Sequence, residues 1–163
     1  MKMSLWTTFV RRSRTAACVL ALALGAGAAS AQAEDLPAKL NVGALLPLTG
    51  NAGFIGEEIR QGLDAYLVEY AKTRAADGLP EINVVYVDSQ ADARVGFQGY
   101  QLLRSRHQAQ LVYLTYTSVA IAAAPQANRD QVAMLNVTQG EVTKLGPLFT
   151  SMLPAYSTQS EIM

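Results

Sequence analysis

Thr117 and Ser118 are the residues whose type and position most favour contact with a polar solute. They follow the apolar run Leu111-Val112-Tyr113-Leu114 and begin a helix-like segment. A helix N-terminus presents free backbone N–H groups and partial positive charge, and a Ser or Thr side chain adds a further donor. The pair could equally cap its own helix, which is the commoner role of Ser and Thr there. Solute contact and helix capping therefore both stay open.

The acidic and histidine side chains do not form a recognisable catalytic or metal site. Asp88 and Asp92 could pair as acid and base or bind a cation, but their spacing lacks the Gly and Glu of a calcium loop. We expect them to serve a solvated loop and a helix cap. His107 is the only histidine, and its position at a predicted helix end suits a cation near the helix dipole.

The glycine pattern does not indicate a nucleotide cofactor. Gly50, Gly53 and Gly56 follow a G-x-x-G-x-x-G spacing, which is not the dinucleotide fingerprint. The sequence also contains neither a G-x-S-x-G elbow nor a P-loop lysine. We expect these glycines to allow a tight loop before a helix, and we predict no cofactor, no metal and no enzymatic activity.

The first 33 residues have the pattern of a secretory signal. Basic residues precede the apolar stretch 16–29, and small residues at Ala29, Ala31 and Ala33 suit signal peptidase. The alternative is a membrane anchor, but the apolar stretch is shorter than the roughly 20 residues that a spanning helix needs. The pattern predicts export to the periplasm and a mature chain without Cys18, the only cysteine.

The charge distribution gives no support for binding to nucleic acid. Four of the 13 basic residues lie in the signal, whereas all 13 acidic residues follow Ala33. The mature chain is therefore acidic, and it contains no basic run after Arg14. The length left after cleavage suits one domain with its own core.

Strand-like and helix-like segments alternate along the mature chain. Short apolar or β-branched runs predict strands at 40–46, 82–87, 111–114, 132–135 and 148–152. Helical patterns lie at 56–77, 92–106, 117–129 and, as a beginning only, 157–163. This alternation predicts an α/β fold with a parallel sheet flanked by helices. Ligands of such sheets bind beyond the carboxyl ends of the strands, here the loops 47–55, 88–92, 115–118 and 136–140.

The first predicted helix carries an apolar stripe and an acidic start. Ile59, Leu63, Leu67 and Tyr70, together with Tyr66, recur at helical spacing and are expected to face the sheet. Glu57 and Glu58 are expected in the first turn, where the helix dipole favours negative charge.

Four segments, in this order and spacing, carry a resemblance to a known family. They are the strand and Gly-rich loop 40–56, the strand with its acidic loop 85–92, the segment 115–125 with its hydroxyl residues, and the segment 149–154. Together they resemble the solute-binding proteins of ABC transporters, of the leucine/isoleucine/valine-binding-protein type. The resemblance implies the first lobe of a type I periplasmic binding fold, which is Rossmann-like and binds without catalysing.

The resemblance also implies where a ligand binds. In amino-acid-binding members, a hydroxyl residue at the third helix start and polar groups after strand four hold the carboxylate and ammonium of the ligand. The matching residues here are Thr117 and Ser118, then Asn136 and Thr138. Tyr116 could line the cleft, and Phe54 could cover the ligand in place of the aromatic that many relatives carry at Ile55.

The resemblance finally implies an organisation and a set of partners. We expect a signal at 1–33, an N-terminal lobe at 34–153, and at 154–163 the start of a crossover to a second lobe that this sequence lacks. The chain would then be a monomeric fragment or a truncated form that offers half a cleft. Its partners would be a small solute, such as an amino acid or amide, and an ABC permease in the inner membrane. A partner-binding envelope regulator on the same fold is the main alternative, and an exported α/β enzyme is the weakest.

Overall fold

A computed structural model describes residues 37–138 and 140–153. Its strands are β1 (Lys39–Leu46), β2 (Glu81–Asp88), β3 (Leu111–Leu114), β4 (Ala133–Asn136) and β5 (Phe149–Ser151). Its helices are α1 (Gly53–Thr73), α2 (Ala93–His107) and α3 (Thr117–Asp130), and a 3-10 turn covers Val142–Leu145. The five predicted strands and the first three predicted helices are confirmed. The predicted signal and the predicted helix at 157–163 lie outside the described residues.

The five strands form one parallel sheet in the order β2-β1-β3-β4-β5. The predicted parallel α/β architecture is therefore confirmed. Because the strands are parallel, they all end on the same side of the sheet, which we call the carboxyl edge. The loops after β1, β2, β3 and β4 meet there, and this edge positions every candidate site residue.

Helices α2 and α3 cover one face of the sheet and form the main core. The core includes the fully buried Tyr100 and Leu103 from α2 and apolar residues from the central strands. Gly99 lies against the sheet, because a Cβ added to it would come within 2.7 Å of a Leu45 methyl carbon. Gly96 likewise faces Val119, at 2.5 Å. Glycine is a weak helix former, and at Gly96 and Gly99 it allows α2 to lie close to its neighbours.

Helix α1 lies on the opposite face, above β1 and β2. The Tyr86 hydroxyl on β2 donates to Asp64 at 2.6 Å, and the Tyr70 hydroxyl donates to the Pro80 carbonyl at 2.7 Å. The predicted stripe is only partly correct, because Tyr66 is 63% exposed. Its ring stacks on Tyr70, with 6.1 Å between ring centroids, instead of packing on the sheet.

Helix α1 also begins earlier than its sequence pattern predicts. It starts at Gly53, so Glu57 and Glu58 lie beyond the first turn, and the expected interaction with the helix dipole is wrong. Glu57 instead pairs with Arg60 at 2.7 Å, one turn further along the helix. Within residues 37–138 and 140–153, no helix combines the length and apolarity needed to cross a membrane.

Candidate functional site

The carboxyl ends of β1 and β2 are tied together by Asp88. Its carboxylate accepts hydrogen bonds from the Leu48 amide at 2.8 Å, the Gln90 amide at 2.9 Å and the Thr49 hydroxyl. Burial opposes ionisation of Asp88, but the bonds from Thr49, Gln90 and Leu48 outweigh it and hold the pKa of this carboxyl below its usual value. Asp88 therefore joins the loop after β1 to the loop after β2. The sequence had predicted only a solvated loop position for it.

Asp92 has the predicted capping role. It is the N-cap of α2, and its side chain accepts a hydrogen bond from the Val95 amide at 2.8 Å. This bond satisfies one of the backbone donors that a helix leaves free at its first turn. Asp88 and Asp92 each have a structural role, and within the described residues no group of three or more His, Cys, Asp or Glu could hold a metal ion.

The hydroxyls of Thr117 and Thr138 meet at the carboxyl edge. Thr117 is the first residue of α3, Thr138 follows β4, and their Oγ1 atoms share a hydrogen bond. The Gly140 amide donates to the same Thr138 oxygen at 3.0 Å. A Cβ at Gly140 would lie 2.5 Å from the Thr117 methyl carbon, so the loop after β4 packs directly against the start of α3. The structure thus joins two of the predicted site residues into one cluster.

Of the two alternatives for Thr117 and Ser118, the structure contradicts the capping of α3. The N-cap residue is Tyr116, and it makes no side-chain capping hydrogen bond. The Thr117 hydroxyl is directed to Thr138, while Ser118 is exposed. The first turn of α3 therefore lacks a side-chain cap, and its positive end lies at the carboxyl edge.

Asn136 lies at the same edge but points into the protein. Its side chain is fully buried, and its Nδ2 donates to the Met134 carbonyl at 3.1 Å and to the Thr150 carbonyl at 2.9 Å. The side-chain amide therefore joins β4 to β5. Its Oδ1 atom is buried and has no hydrogen-bond partner among the described residues.

The remaining predicted site residues take different positions. Tyr116 is half-buried and packs against the core cluster of α2, α3 and the sheet. Phe54 is the second residue of α1 and is 66% exposed at the carboxyl edge. The structure adds Thr115, whose hydroxyl oxygen is buried without a hydrogen-bond partner in the described part of the chain. The hydroxyl-rich segment 115–118 was the only sequence signal for it.

A separate cavity of about 380 Å³ opens between α2 and α3. It is lined by residues from the middle to the C-terminal end of α2 and from the C-terminal end of α3. Asp130 accepts from the Tyr100 hydroxyl at 2.8 Å and from Gln126 at 2.7 Å, and lies 3.7 Å from the Arg104 Nε. The contacts of Asp130 with Tyr100 and Arg104 tie α3 to α2, so we assign this cluster to helix packing.

The family is decided by a match that covers most of the chain. A family model described as periplasmic binding protein matches residues 39–162. The chain belongs to the periplasmic binding protein family. This family consists of binding proteins rather than enzymes, and its members in ABC importers are extracytoplasmic.

Solved structures of similar fold agree with this family. A solute-binding protein of an ABC transporter from Rhodopseudomonas palustris BisB5, in complex with 3,4-dihydroxy benzoic acid, is 22% identical with a TM-score of 0.64. The branched-chain amino acid transporter substrate-binding protein LivJ from Streptococcus pneumoniae, in complex with isoleucine, is 18% identical, with a TM-score of 0.61. The leucine-binding protein LivK from Thermotoga maritima is 16% identical, with a TM-score of 0.64.

These matches establish the fold and show how much of each solved structure the chain corresponds to. They cover 73%, 72% and 76% of this chain but only 33%, 34% and 35% of the respective solved structures. The chain thus spans about a third of the length of the solved relatives. No curated protein matches the sequence.

Proposed function

We propose that this periplasmic binding protein takes part in solute uptake by an ABC importer and contacts the carboxylate of a small solute at its carboxyl edge. The proposed contacts are Thr117, Ser118 and Thr138, with Tyr116 and Phe54 lining the approach. The observation that carries the proposal is the uncapped start of α3 beside the joined hydroxyls of Thr117 and Thr138.

The chemistry of this cluster favours an anionic group. The start of α3 offers backbone N–H donors and partial positive charge without a side-chain acceptor to satisfy them. Of the two hydroxyls beside it, one donates to the other, which leaves one O–H free to donate a further hydrogen bond. Asp88, the acidic residue at the end of β2, is held by three donors of the loops after β1 and β2 and is not one of the proposed contacts.

The ligands of the solved relatives share this chemical group. Isoleucine and 3,4-dihydroxy benzoic acid, found with two of those proteins, differ in size and shape but both contain a carboxyl group. An amino acid or amide is the solute class that the family resemblance implies for this chain; the carboxylate chemistry favours the amino acid, and an aromatic acid is the second candidate. Asn136 is not among the proposed contacts, since its amide is bound to backbone carbonyls.

Delivery to a permease completes the proposal. In this family the receptor collects its solute outside the cytoplasm, so we place the chain in the periplasm, exported by its N-terminal signal and paired with an inner-membrane ABC permease.

Titration calorimetry of the full chain tests the proposal. The probes are isoleucine, leucine and 4-hydroxybenzoate, each against the natural chain and the variants Thr117→Val and Thr138→Val. Valine keeps the volume and removes the hydroxyl, and loss of a hydrogen bond to a charged group costs about 1.5–3 kcal/mol, which is roughly tenfold or more in affinity.

The matched control is Thr73→Val, an exposed threonine at the C-terminal end of α1, on the opposite edge of the sheet. We expect it to leave binding unchanged. Binding that survives both Thr117→Val and Thr138→Val would contradict the assignment, as would the absence of binding to every acid by a folded chain.

A further inference from the structure

The outer strand β2 has an unpaired side whose middle six residues lack the usual protection against pairing. Its eight residues, Glu81–Asp88, pair with β1 without interruption. The six residues between its terminal acids, Ile-Asn-Val-Val-Tyr-Val, contain no charge and no proline. Soluble proteins normally interrupt such strands with charges, proline or bulges, because the free N–H and C=O groups are a template for another strand.

The hydrogen bonds to β1 determine which residues of β2 face outward. The Glu81 amide donates to the Ala38 carbonyl and the Ser89 amide donates to the Leu46 carbonyl, so the odd-numbered residues of β2 face β1. The backbone groups of Ile82, Val84 and Tyr86 therefore point away from the sheet. Among the described residues, no strand pairs with them.

We propose that β2 pairs antiparallel with β2 of a second copy of this chain, about a two-fold axis at Val84. Ile82 then lies opposite Tyr86 of the second copy, and Val84 lies opposite its own equivalent. Each of the three facing pairs exchanges two backbone hydrogen bonds, about six in all. The register uses only outward-facing residues, and it joins the two sheets into one continuous sheet with a self-complementary interface.

The charges at the two ends of β2 are compatible with this register. Glu81 lies opposite Val87 of the second copy, and Asp88 lies beyond the paired segment, so the carboxylates do not face each other. Each is also neutralised or engaged within its own chain: Glu81 by Lys39 at 3.3 Å, and Asp88 by its loop donors. Cross-strand pairs of aliphatic and aromatic side chains, such as Ile82 with Tyr86, are favourable.

Helix α1 supplies a second, independent feature at the same axis. Asp64 contacts Tyr86 near the end of β2 and Tyr70 contacts Pro80 before its start, so Val68 lies at about the level of Val84. Val68 is 64% exposed and follows Asp64 by one turn, on the β2 side of the helix. With strands about 4.8 Å apart, two α1 helices above β1 and β2 would lie about 10 Å apart, which is a normal helix packing distance.

The proposal goes beyond the solute-binding function and does not depend on it. It also departs from the monomer that the sequence predicts, because the outward register of β2 becomes visible only from its hydrogen bonds with β1. The interface would bury Val68 against Val68 of the second copy. It would also pair the free side of β2, which is the longer of the two outer strands of the described sheet.

Sedimentation equilibrium of the full chain, over a wide range of protein concentration, measures the interaction. We expect a reversible dimer. Val68→Glu should weaken dimerisation by at least about tenfold, because it places like charges across the two-fold axis. The control Tyr66→Glu changes an equally exposed residue, 63% against 64%, on another side of the same helix and should leave the dimer intact.

Three further variants test the same interface. Val84→Pro removes an outward N–H, which an unpaired strand side tolerates within the monomer, and should abolish the dimer while preserving the circular dichroism spectrum. In a Cys18→Ser background, Val68→Cys should form a disulfide-linked dimer and Tyr66→Cys should not. A monomer at every concentration, or a dimer that withstands both Val68→Glu and Val84→Pro, would overturn the proposal.

Discussion

Replacement of Gly56 by alanine should destabilise the protein, although alanine is the better helix former. Gly56 is buried in the first turns of α1, where the helix lies against the loop after β1. A Cβ added there would come within 2.0 Å of the Pro47 carbonyl oxygen and 2.6 Å of its carbon. Since these are backbone atoms, relief requires α1 and the loop to separate.

The magnitude follows from two opposing effects. Overpacking of a close contact costs about 1–3 kcal/mol, and the upper end applies where backbone must move. The intrinsic gain of alanine over glycine in a helix is about 1 kcal/mol. We therefore expect Gly56→Ala to lower the free energy of unfolding by about 2 kcal/mol.

Gly62 provides a matched control on the same helix. It is exposed, and a Cβ there would meet no atom within 4 Å. Gly62→Ala should therefore raise the free energy of unfolding by about 0.5–1 kcal/mol. Urea unfolding followed by circular dichroism compares both variants with the natural chain. Equal or same-sign effects would refute the reasoning, because the close approach at Gly56 would then have no energetic consequence.

Three further changes test the contacts around the sheet by the same unfolding measurement. Asp92→Ala removes the cap of α2 and should cost about 1 kcal/mol, whereas Asp92→Asn should retain most of the stability. Asp88 has a lowered pKa in the folded protein, so its stabilising effect is present above the unfolded value of about 3.8 and is lost as the pH falls through the folded value. The stability difference between the natural chain and Asp88→Asn should therefore shrink between pH 6 and pH 3, and a constant difference would contradict the assignment. Tyr100→Phe removes the donor to Asp130 and should lower the free energy of unfolding by about 1 kcal/mol. An unchanged free energy of unfolding would mean that apolar packing alone joins the two helices.

The sequence was sufficient for the fold because its signals are local. The apolar runs at β1 and β3 and the helical pattern of α2 lie within single elements, and each falls within a residue or two of its predicted bounds. Alternation of strands and helices then leaves the parallel sheet as the natural arrangement.

The carboxyl edge was less predictable because its contacts join distant residues. The Thr117 hydroxyl bonds to Thr138, 21 residues away, so the local preference of threonine for capping did not decide its role. Asn136 is positioned by the carbonyl of Thr150 on a neighbouring strand. Residue types predicted a polar cluster, whereas the sheet order determines which members of it point outward.

The side of α1 that faces the solvent was hard to predict for the same reason. Helical spacing alone placed Tyr66 on the apolar stripe, but the stripe that packs is determined by the position of α1 above β1 and β2. Contacts such as that between Asp64 and Tyr86 establish this position, and they depend on the pairing of strands that a sequence pattern does not specify.

The most direct test of a carboxylate site at Thr117 and Thr138 is a nuclear magnetic resonance titration of the full chain with acid and amide pairs. The pairs are 4-hydroxybenzoate with 4-hydroxybenzamide, and leucine with leucinamide, which differ at the carboxyl group alone. The account predicts that the acids shift the backbone amide resonances of Thr117, Ser118 and Gly140 and that the amides do so at least about tenfold more weakly. Equal shifts by acid and amide, or shifts confined to other parts of the chain, would contradict it.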